Sequence, residues 1–173
     1  MLVASYVFGA LGVLCTIVIY QQKKRGALLL SKLVSDLIWF LHYVFLGAYS
    51  GTAIAIIGAL RELIFMNREK KWAKHPAWLV LFLGLSVLCG VLTWKNLFSI
   101  FPCIASAISV ISFWIGKPKL SRFLSYPISA CMLTYDIACV SVAGIINEIV
   151  SISSAIVGNL RLDKKSIPEA SAK

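Results

Sequence analysis

Between residues 32 and 43, Lys32, Ser35, Asp36, Trp39, His42 and Tyr43 recur at helical spacing. At ~100° per residue they fall within about 120° of one another. Leu33, Val34, Leu37, Ile38, Leu41, Val44 and Phe45 occupy the opposite face. A face of this kind can pair charges, since Lys32 and Asp36 are i,i+4 neighbours. It can bind a polar solute, with Trp39 as a stacking surface and His42 in binding or coupling. It can also serve only to fasten helices together, with Trp39 as a packing residue and His42 as a hydrogen-bonded interface histidine. A second polar set lies a hundred residues on. Ser121, Ser125, Met132, Asp136 and Cys139 share a helical face, with Ser129 at its edge; Gly144, Asn147, Glu148, Ser151, Ala155 and Gly158 form another. Asp136 and Glu148, if close, are candidates for proton coupling. Alternatively, Glu148 simply caps its helix or reaches the outer interface. Asn147 and Asn159 are suited to hydrogen bonds between helices.

The elements that position these residues are apolar helices. Hydrophobic residues make up 60% of the 173-residue chain and its mean hydropathy is +0.87. An ordinary soluble domain has roughly 45–50% apolar residues. Crossing the ~30 Å hydrocarbon core takes roughly 20 apolar residues, and the sequence holds several such runs. Helices are expected at about 2–20, 26–47, 49–66, 77–94, 97–115, 119–141 and 143–162. The first has its basic residues after the apolar run, so it is read as a retained helix rather than a signal peptide. Gly116 and Pro118 separate the fifth from the sixth.

Seven crossings sort the charges. One side receives Lys23, Lys24 and Arg25, then Arg68, Lys70, Lys71 and Lys74. The same side takes Lys117, Lys119 and Arg122, and finally Arg161, Lys164, Lys165 and Lys173. The other side receives Lys95 alone. The positive-inside rule then places the N-terminus outside and the C-terminus in the cytoplasm of a multi-pass inner-membrane protein. The net charge of +10 is therefore a topology signal and not a nucleic-acid footprint. A charge in mid-span is costly and faces a bundle interior or a wet cavity. Asp36 falls near mid-span. Glu62 falls at the depth of Lys32, so a Lys32–Glu62 or Asp36–Lys32–Glu62 network is expected.

The chain also nearly repeats itself. AIIGALR at 55–61 and AIVGNLR at 155–161 each end a helix on the basic side, with Gly58 opposite Gly158 and Arg61 opposite Arg161. Small residues let helices approach closely in lipid, and a terminal arginine is expected to snorkel to the interface. A weaker match sets Lys24–Trp39 against Leu120–Tyr135. The expected architecture is all-α and polytopic, with a three-helix repeat over 1–66, a linker helix over 77–94, a second three-helix repeat over 97–162 and a polar cytoplasmic tail over 163–173. An odd-numbered linker leaves the two repeats parallel. The linker, AWLVLFLGLSVLCGVLTW, carries no charge and is expected to face lipid.

This 3-1-3 layout resembles the SWEET and PQ-loop superfamily. More closely, the segments QQKKRGALLLSKLVSDLIWFLHYVFLGAYSG at 21–51 and SYPISACMLTYDIACVSVAGIINEI at 125–149, with the two arginine-ended motifs, resemble the bacterial inner-membrane YgjV family. The chain departs from SWEETs in having no Pro-Gln pair; the only prolines within its spans are Pro102 and Pro127. A proline hinge and a sugar substrate are therefore not implied.

Enzyme chemistry finds no foothold. There is no HExxH, no glycine-rich phosphate loop, no co-planar Ser-His-Asp set and no metal spacing, and His75 sits in a loop between Lys74 and Pro76. Cys15, Cys89, Cys103, Cys131 and Cys139 form no CxxC and read as small buried hydrophobes. No cofactor is expected; the expected partners are the lipid bilayer and a small polar solute. Two hypotheses follow: a small-molecule transporter or facilitator whose site lies between the two repeats, with Asp36, Trp39, His42, Asp136 and Asn147 in binding or coupling, or a receptor, chaperone or assembly factor on the same scaffold. One chain suffices to close a pathway, so neither demands an oligomer.

Overall fold

A computed structural model describes residues 2–163. The tail from 164 onward, with Lys164, Lys165 and Lys173, lies outside the described residues. Seven α-helices follow in chain order: α1 Leu2–Ile19, α2 Arg25–Leu46, α3 Tyr49–Met66, α4 Ala77–Leu92, α5 Ile100–Ile115, α6 Pro118–Ala138 and α7 Val142–Gly158. A 3₁₀ turn at Leu97–Ser99 precedes α5, a π turn at Asn159–Asp163 extends α7, and no strand occurs among the described residues.

The helix ends follow local chemistry. Gly47 (φ 73°) and Gly116 (φ 71°) close α2 and α5 in the left-handed conformation that glycine adopts without a Cβ penalty. Pro118 opens α6 at a first-turn position, where its missing N–H costs nothing. The Ser141 side chain accepts a hydrogen bond from the Gly144 N–H and caps α7.

Five stretches are long and apolar enough to cross a membrane: α1, α2, α3, Leu97–Ile115 and Val142–Leu162. The apolar α4 has only 16 residues, and the 21 residues of α6 include Lys119, Arg122 and Asp136. Helix packing closes a ring. α1 packs on α2, α2 on α3, α3 on α5, α5 on α6, α6 on α7, and α7 returns to α1; α4 sits outside against α5 and α3. Polarity runs inside-out across this ring. In α1, Ser5, Gly9, Gly12 and Thr16 are buried while Val3, Val7, Leu14 and Val18 are exposed. That pattern suits lipid, where small residues permit close approach and apolar side chains already lie in a good solvent. A Cβ on Gly12 would meet the Trp39 ring at 2.7 Å, so glycine there is what lets α1 seat against α2.

Candidate functional site

All six ring helices border a central cavity of about 120 Å³. From α2 it is bordered by Lys32, Ser35, Asp36, Trp39 and Tyr43, the stripe expected from spacing alone. The stripe faces inward because its opposite side, with Val34, Leu37 and Val44, is exposed as lipid-facing residues should be.

Charges in the first half are paired within it. Lys32 bridges to Asp36 one turn away. Arg61 bridges to Glu62 at 2.8 Å, and both are buried. The Arg61 guanidinium also stacks over Phe113 of α5, 5.1 Å from the ring centroid. Two expectations are corrected here. Arg61 does not snorkel: it is 2% exposed and borders the cavity, because α5 closes the ring over that end of α3. The Lys32–Glu62 pair does not form, since Arg61 takes Glu62 while Lys32 folds back along its own helix to Asp36. Arg161, which ends the similar segment AIVGNLR, is exposed on the π turn. Asp36 lies against Gly58, where a Cβ would collide with its carboxylate. The Asp36 Oδ2 and Arg61 Nε atoms are buried without a protein hydrogen-bond partner.

The second half holds its carboxylates differently. Glu148 borders the cavity and is 6% exposed, so it neither caps its helix nor reaches the outer interface. It accepts a 2.9 Å hydrogen bond from Asn147 Nδ2, and Asn147 Oδ1 accepts one of 2.6 Å from Thr16 on α1. Asn159 donates to the Tyr126 hydroxyl at 2.9 Å. Asp136 is fully buried against Gly144 and stands behind Tyr43, whose hydroxyl donates to it at 2.9 Å. Among the described residues, neither Glu148 nor Asp136 has an ion-pair partner within 4.0 Å.

Of the residues expected to bind or couple, Asp36, Trp39 and Asn147 border the cavity, while His42 and Asp136 do not. His42 ties helices together instead. Its Nδ1 lies 2.8 Å from the Ser5 carbonyl oxygen and its Nε2 lies 3.1 Å from Ser141 Oγ, joining α1, α2 and the start of α7. Residue spacing on α2 set its direction correctly, but what stands opposite it belongs to other helices. Of the expected charge network, Lys32 and Glu148 border the cavity and Glu62 lies behind Arg61. Sequence reasoning overlooked Ser106 and Ser109 on α5 and Thr16 on α1. The three-residue spacing of Ser106, Ser109 and Ser112 within apolar sequence was the available signal.

A second hollow of about 170 Å³ lies where the α2–α3 and α4–α5 connections meet the end of α6, bordered by Tyr49, Ser50, Lys95, Asn96, Tyr135 and Cys139. Lys95 sits over the Tyr49 ring at 4.3 Å. Tyr135 on this hollow meets Tyr43 on the central cavity edge-to-face, with centroids 6.5 Å apart, and its hydroxyl accepts from the Gly51 N–H at 3.2 Å.

Helices with polar interiors and apolar outer faces, arranged about a charged cavity, define an all-helical membrane protein. Residues 3–166 match the Imp-YgjV family, described as a bacterial inner membrane protein, and the chain belongs to that family. No curated protein and no solved structure matches it.

Proposed function

We propose that this protein is a transporter or facilitator for a small polar solute, working through the central cavity. The observation that carries the reading is a charged, hydroxyl-rich cavity bordered by all six ring helices in a membrane protein. Buried ionisable groups in a bilayer are expensive, and a pathway is a common reason to keep them. A purely structural assembly would be expected to pair its charges across a dry interface. Among the described residues, Glu148 faces the cavity with no cation within 4.0 Å.

The reading takes all seven helices as crossings, with the N-terminus outside and the C-terminus in the cytoplasm. Basic residues on alternate connections support it. Trp72 and Trp78 near one end of α4 and Trp94 near the other suit interfacial anchors. The ring order is also what two parallel three-helix units would produce, because the α1–α7 contact then corresponds to the α5–α3 contact. Rocking of one unit against the other would open the cavity alternately. Tyr43 and Tyr135 would form the barrier on the outer side, with the hollow beside Lys95 as its vestibule.

Water access is the test. In a cysteine-free background, Ser35→Cys places a thiol on the cavity and Leu37→Cys places one on the lipid-facing side of the same helix. A membrane-impermeant maleimide applied to right-side-out and inside-out vesicles should label position 35 from at least one side and leave position 37 unlabelled. Absence of labelling at 35 from both sides would remove the transport reading.

A further inference from the structure

The charges around the cavity do not balance. Among the residues that line it and their ion-pair partners, Asp36, Glu62 and Glu148 stand against Lys32 and Arg61. Lys32 bridges to Asp36 and Arg61 to Glu62; Lys32 also acts on Glu148 from longer range, so Glu148 is the carboxylate left without an ion pair of its own. Its hydrogen bond comes from a neutral amide, that of Asn147. A carboxylate buried without an ion pair is costly as the anion, and either a proton or a ligand that brings a cation relieves that cost.

We infer that the cavity takes a small organic monocation, a solute whose protonated amine pairs with Glu148. This rests on the cavity being the functional site proposed above, and three features narrow the ligand. A zwitterion or an anion would leave the excess negative charge in place, because both cations facing the cavity are already paired. The volume of about 120 Å³ is near that of an engineered ~150 Å³ cavity that accepts benzene, so roughly six heavy atoms fit. The wall includes the aromatic side chains of Tyr20, Trp39 and Tyr43, a residue class whose rings attract ammonium groups. It also offers hydroxyls from Ser129 and Ser151 beside Glu148, which suit a ligand with a polar substituent. Asp136 does not share this role, being sealed from the cavity behind Tyr43.

The test is thermal stabilisation and isothermal titration of the purified full chain with ethanolammonium chloride. Ethylene glycol is the uncharged control, glycine the zwitterion, lactate the anion, and sodium and potassium chloride the inorganic cations. Ethanolammonium should raise the melting temperature and bind at least tenfold more tightly than any other probe. Glu148→Gln should weaken it at least tenfold, while Asp136→Asn should leave it within about twofold. If Glu148→Gln does not purify as a monodisperse species, the ranking of probes on the unmodified chain decides alone. Equal binding of ethylene glycol or glycine would overturn the inference, as would stabilisation by sodium or potassium equal to that by ethanolammonium. So would undiminished binding by a folded Glu148→Gln. Labelling of a cysteine at position 35, together with failure of ethanolammonium to bind, would sink this inference and leave the transport reading standing.

Discussion

The two halves of the ring handle buried charge in opposite ways. In α2 and α3 each carboxylate has its own cation: Asp36 has Lys32 one turn away, and Glu62 has Arg61 beside it. In α6 and α7 each carboxylate leans on a neutral donor: Asp136 on the Tyr43 hydroxyl and Glu148 on the Asn147 amide. Both halves use the same backbone device, an aspartate seated against a glycine of the following helix, Gly58 in one and Gly144 in the other. Close helix approach is thus common to both, while charge compensation is not. The first half forms its ion pairs internally. The second leaves Glu148 on the cavity wall without an ion pair.

That contrast can be broken in measurable ways. The largest effect should come from Glu62→Ala. It strands the buried Arg61 charge and should cost about 3–5 kcal/mol, read as a lowered unfolding midpoint in detergent; a loss below about 1 kcal/mol would mean that the pair frames nothing. Tyr43→Phe should cost less, about 1–3 kcal/mol, because it removes the hydroxyl on Asp136 without exposing a new charge. If Tyr43→Phe proves as damaging as Glu62→Ala, the two halves depend equally on their buried partners and the contrast fails. The smallest effect should fall outside the ring. Ser86 of α4 and Ser106 of α5 share a 2.7 Å hydrogen bond. Interhelical bonds of this kind average about 0.6 kcal/mol, so Ser86→Ala should shift the midpoint barely, as befits a helix applied to the outside.

Particular residues show how far the sequence could be read. Spacing alone placed Ser35, Asp36, Trp39 and Tyr43 on one inward face, because helical period and the cost of charge in lipid leave them no other side. The Lys32–Asp36 pair was legible for the same local reason. Arg61 was not. Its position at the end of AIIGALR reads as an interfacial arginine, and only the approach of α5, with Phe113 over the guanidinium, buries it. His42 likewise shares the polar stripe, yet its partners Ser5 and Ser141 lie 37 and 99 residues away in sequence. No pattern local to α2 names them.

The sequence by itself determined the all-helical membrane class, the helix limits to within a few residues and the inward face of α2. These follow from hydropathy, helical period and capping chemistry, which act over one or two turns. Only the tertiary structure decided that Arg61 and not Lys32 answers Glu62, that six helices close on a common cavity, and that Glu148 faces it without an ion pair. Those outcomes depend on which helices become neighbours, and a Coulombic partner is set by distance in space rather than by separation along the chain.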